Sequence, residues 1–164
     1  MSHFVYCLAN DPTQARTVVD AVSALGITSD QISVLAANQH TTGHLAKDLH
    51  AHTAHGSFSG GNIGGSIGWL AGLGSLAIPG IGLFVASGPI LGFLTGIAVG
   101  RAVGNLNGAM IEEMGIPDTA IPRYREGLTQ GRIVISMKAT QDDVDQVMAE
   151  IRRTGAEEIG SCPV

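Results

Sequence analysis

Gly60-Gly-Asn-Ile-Gly64-Gly-Ser-Ile-Gly68-Trp-Leu-Ala-Gly72 and Gly92-Phe-Leu-Thr-Gly96-Ile-Ala-Val-Gly100-Arg-Ala-Val-Gly104-Asn-Leu-Asn-Gly108 each set a glycine at every fourth position. Residues four apart share one face of an α-helix, so each run draws a glycine groove along a helix. Glycine costs about 1 kcal/mol relative to alanine inside a helix, so nine such positions cost roughly 9 kcal/mol, comparable with the stability of a small domain. Close backbone approach between apolar helices is the gain that offsets it. Ile63, Ile67, Trp69, Leu70, Leu73 and Leu76 surround the first groove, and Ile90, Leu91, Phe93, Leu94, Ile97 and Val99 the second. A helix apolar all round is buried in protein or in lipid.

The spacing therefore predicts a glycine-zipper helical hairpin over residues 58–114, with helices over 59–78 and 89–114. The first is long enough to reach about 30 Å. The second turns polar only toward its end, at Arg101, Asn105, Glu112 and Glu113. Pro79, Gly80 and Gly82, then Gly88 and Pro89, are turn signals between the two. The tip, Ile81-Gly-Leu-Phe-Val-Ala86, is apolar and prefers lipid or an oligomer interior to water.

Charge sets this region apart. No Asp, Glu, Lys or Arg occurs between Asp48 and Arg101, and 16 of the 23 glycines lie between Gly56 and Gly108. Only 14% of the residues are charged and the net charge is −5, against roughly 25% charged in an ordinary soluble domain. Mild acidity with scattered Lys and Arg argues against nucleic acid, which needs a clustered basic surface. Two cysteines do not make a disulfide framework. The opening residues lack a basic, then apolar, leader, so the expected location is cytoplasmic, with the inner membrane as the surface that the hairpin would touch.

Outward from the middle, the two ends resemble each other. Phe4-Val-Tyr-Cys-Leu8 reads as a strand. Asp11 then offers an N-cap, Pro12 a first helical residue and Gln14 the partner of a capping box. Ala15, Val18, Val19, Val22 and Leu25 follow at helical spacing, Gly26 is the expected C′ stop, and Ile32-Ser-Val-Leu35 is a second strand. Near the other end, residues 132–137 read as a strand, Thr140 as an N-cap, and Val144, Val147, Met148 and Ile151 as a helical stripe closed by Gly155. A shift of 129 positions (140 − 11) superposes Asp11 on Thr140, Val18 on Val147, Val22 on Ile151 and Gly26 on Gly155. The second strands, 32–35 and about 158–162, align only loosely.

The expected architecture is α+β: two duplicated βαβ halves of a ferredoxin-like sandwich, 1–38 and 115–164, with a His-rich linker at 39–57 and the hairpin at 58–114 between them. Two βαβ lobes that pair with other subunits are the alternative. The sheet's second face needs a cover, either residues 118–130, where Pro122 opens a short helix, or a second subunit.

Taken in order, Ile32-Ser-Val-Leu35, the ladder from Gly60 to Gly74, Leu76-Ala-Ile-Pro-Gly-Ile-Gly82, Ala86-Ser-Gly-Pro89 and Gly115-Ile-Pro117 resemble a family of small bacterial general-stress proteins. Tyr124, Gly127 and Gly131 leading into 132–137 continue the likeness over nearly the whole chain. The family is also known as low-temperature-induced or membrane-associated, without an assigned molecular function. The resemblance implies a stress-linked, self-associating protein and supplies no catalytic residue. This chain departs from the family in its His-rich linker.

That linker holds His40, His44, His50, His52 and His55; the spacing of His40 and His44 lets both reach one metal on a helix. No Cys lies nearby and Asp48 is its only carboxylate, so a solvated linker is the plainer reading, with a metal site or pH response as alternatives. There is no GxxxxGK[ST], Gly60 to Gly65 does not follow a strand, and no GxSxG elbow occurs. Arg123, Arg125 and Glu126 read as surface ion-pair partners. The expectation is a protein without catalytic residues, cofactor, metal or small-molecule substrate. Its partners are itself and, through the same glycines, a lipid bilayer; the alternative is a soluble filament or shell with the hairpin as its core.

Overall fold

A computed structural model describes residues 2–37, 74–78, 82–100 and 106–164. Its elements are β1 (Ser2–Ala9), α1 (Pro12–Ser23), β2 (Ile32–Ala37), β3 (Gly74–Ile78), β4 (Gly82–Ser87), α2 (Pro89–Gly100), α3 (Leu106–Glu112), α4 (Ile121–Thr129), β5 (Ile133–Thr140), α5 (Val144–Arg153) and β6 (Glu157–Pro163). The class is α+β, with one six-stranded sheet in the order β3-β4-β2-β5-β1-β6. Every adjacent pair is antiparallel.

α1 starts and stops as its residues dictate. Asp11 Oδ1 accepts from Gln14 N–H at 2.8 Å, and Gln14 Oε1 accepts from Asn10 N–H at 2.7 Å. At the other end Gly26 lies at φ +92°, with Gly26 N–H on Ser23 O and Ile27 N–H on Val22 O, a Schellman stop. Val18, Val19 and Val22 are buried against the sheet. α5 presents Val144, Val147 and Ile151 in the same way, and Gly155 follows it at φ +79°. The two helices touch, and Gln14 Nε2–H reaches Thr154 O at 3.2 Å. Together they bury one sheet face, formed by Val5, Cys7, Ile32, Val34, Ile135 and Met137.

Thr140 is not the N-cap of α5. It is the last residue of β5, paired with Ser2, and 141–143 form a turn that delays the helix until after Asp143, the N-cap residue, whose side chain makes no capping bond. Thr140 Oγ–H donates to Asp143 Oδ2 at 2.5 Å, so the hydroxyl serves the turn instead.

The opposite face carries Tyr6, Leu8, Leu35, Phe84, Ala86 and Val134, covered by residues of α2, α3 and α4. The cover is thus the segment that includes 118–130 together with two further helices. Ile121, Tyr124 and Leu128 form the buried stripe of α4.

The larger correction concerns the insertion. The predicted helix over 59–78 fails at its end, because Gly74–Ile78 is β3. Residues 82–86 of the apolar tip lie in β4, whose Phe84 and Ala86 are 2% and 0% exposed. A short apolar run reads alike as buried helix or buried strand. Here Val34 to Ala37 of β2 offers an open ladder, and β4 takes it from Ser87 to Phe84. The expected single helix over 89–114 is divided into α2 and α3, which are in contact with each other.

Candidate functional site

Beyond the β2–β4 ladder, the next fixed point of the insertion is Gly88. It lies at φ +78°, and a Cβ there would stand 1.9 Å from the carbonyl oxygen of Ile32, so only glycine fits between β4 and α2. Pro89 then opens α2 at a position whose N–H would find no partner inside the helix. Ile90 N–H donates to the buried Ser33 hydroxyl at 3.3 Å, tying the start of α2 to β2. A second buried hydroxyl, Ser136 Oγ, donates to Met114 O at 2.6 Å and holds the chain beyond α3 over β5. Ser33 and Ser136 face each other across β2 and β5, and Ser136 faces Tyr6 across β5 and β1. Gly115, at φ +65°, lies so close to Phe4 that a Cβ would come within 2.3 Å of its ring.

The ladder glycines fall in different places. Gly92, Gly96 and Gly100 lie along α2, and Gly108 is in α3. Ile90 is buried, Leu91, Phe93 and Leu94 are partly buried, and Gly92 is exposed. Among the described residues, a Cβ at Gly92 would meet no atom within 4 Å. Gly60, Gly64, Gly68, Gly72 and Gly104 lie outside the described residues, as do Pro79, Gly80 and the whole His-rich linker. Gly82 is the first residue of β4.

The polar chemistry lies at the far edge, between α4 and β6. Tyr124 is buried, its hydroxyl donates to the Glu158 carbonyl, and its ring meets Tyr6 edge-on at 5.7 Å between centroids. Burial raises the Tyr124 pKa, helped by neighbouring Cys7, Tyr6 and Glu158. Burial also raises Tyr6, and pushes the Cys7 thiol up to about 12. Glu158 adopts φ +52°, beside a register shift of β6 on β1 between Tyr6 and Leu8. Arg123 pairs with Glu158 at 3.0 Å and Arg132 with Glu157 at 2.9 Å. A cavity of about 270 Å³ opens here, bounded by Leu8, Gly127, Gln130 and the charged groups of Arg123, Glu126, Arg132 and Glu158. Its arginines already face carboxylates, so it is a rim of exposed ion pairs, each worth under about 1 kcal/mol. Sequence reading assigned Arg123 such a role but missed the burial of Tyr124, although Ile121, Tyr124 and Leu128 share a helical stripe.

Cys7 packs on the face under α1 and α5, and Cys162 on the opposite face, so the two thiols point apart. Among the described residues, no three His, Cys, Asp or Glu side chains converge as metal ligands. No helix among them is long and apolar enough to cross a membrane. The chain matches no protein-family model, no curated protein and no solved structure.

Proposed function

We propose that this chain is a non-catalytic bacterial stress-related protein that associates with itself, with a membrane surface, or with both, through its glycine ladders. The observation that carries the reading is the run without Asp, Glu, Lys or Arg between Asp48 and Arg101, of which α2 is the described helical part. An apolar helix with an exposed glycine at Gly92 suits close approach by a second apolar helix. At twelve residues it extends only about 18 Å, short of the roughly 30 Å of a bilayer core. That length favours self-assembly or a peripheral membrane contact over a two-pass anchor.

The body fits the ferredoxin-like reading. β6-β1-β5-β2 is the strand order of a split βαβ sandwich, and α1 and α5 lie on one face. Val18 and Val147, Val22 and Ile151, and Gly26 and Gly155 take matching roles at a shift of 129 (147 − 18), which supports a duplicated origin of the halves. In this reading β3, β4 and α2 are the inserted device and the duplicated body carries it, in the cytoplasm.

Fractionation of expressing cells, followed by size exclusion with light scattering, tests the proposal. The expected result is either a membrane-bound protein or a soluble particle several times the mass of one chain. Gly100→Leu should release it from the membrane or reduce the particle to single chains. A soluble, monomeric wild-type chain at all concentrations would sink the reading.

A further inference from the structure

We draw no further inference here: the strongest candidate, the cavity between α4 and β6 lined by Arg123, Gln130, Arg132 and Glu158, belongs to the rim of ion pairs already described, in which Arg123 and Arg132 face Glu158 and Glu157, and among the described residues no buried, unpartnered polar side chain points into it.

Discussion

The two faces of the sheet are covered by different means. One lies under α1 and α5, ordinary amphipathic helices with valine and isoleucine stripes and glycine stops. The other lies under α2, α3 and α4, held partly at points where only a small group fits: Gly88 under the Ile32 carbonyl and Gly115 on Phe4. The first face gains its stability from area. The second adds close steric fit, so its weak points are single atoms.

Substitutions at those atoms should therefore do the most damage. Gly88→Val combines a positive φ with a clash into backbone and should cost about 4 kcal/mol or more in urea unfolding. A cost below about 1 kcal/mol would mean that the β4–α2 turn is not as described. On the other face, Ile151→Ala should cost about 3 kcal/mol and Val22→Ala somewhat less, with the larger loss at the larger residue. A Val22→Ala variant as stable as the wild type would break the equivalence of the two helices.

Tyr124→Phe removes the hydroxyl from the Glu158 carbonyl and should cost about 1–2 kcal/mol near neutral pH. Its pH dependence has a definite sign. The folded pKa of Tyr124 lies above its ordinary value, so its contribution is complete below about pH 10 and is lost as the pH rises further. Cys7, raised from 9.0 to about 12, acts likewise from about pH 9 upward. Wild-type stability should fall above pH 9, each group adding up to about 1.4 kcal/mol per pH unit. Tyr124→Phe should flatten the upper part of that fall; an unchanged slope would count against Tyr124 as its source.

The smallest effect separates the two helix starts. Asp11→Ala should cost about 1 kcal/mol because Asp11 caps α1 through Gln14 N–H. Asp143→Ala should cost less, since the Asp143 side chain makes no capping bond to α5. Equal losses in thermal melts would show that the two starts are alike after all.

How much was legible follows from the range of the forces. The βαβ ends were readable because caps, stripes and glycine stops act within a few residues. The role of Tyr124 was not legible, because only the fold brings the Glu158 carbonyl to its hydroxyl. The polar rim at β6 was likewise invisible, since its ion pairs and the Tyr124 hydrogen bond join residues 25 to 35 positions apart.

By itself the sequence determined α1, α5 and their glycine stops, the strands on either side, and the long uncharged middle. The tertiary structure decided what part of that middle becomes. Residues 83–86 are an apolar run, with Phe84 and Ala86 buried, and local periodicity does not separate a buried strand from a buried helix there. The free edge of β2 does: a strand there satisfies its backbone groups in the ladder, whereas a helix would leave the edge of β2 unpaired.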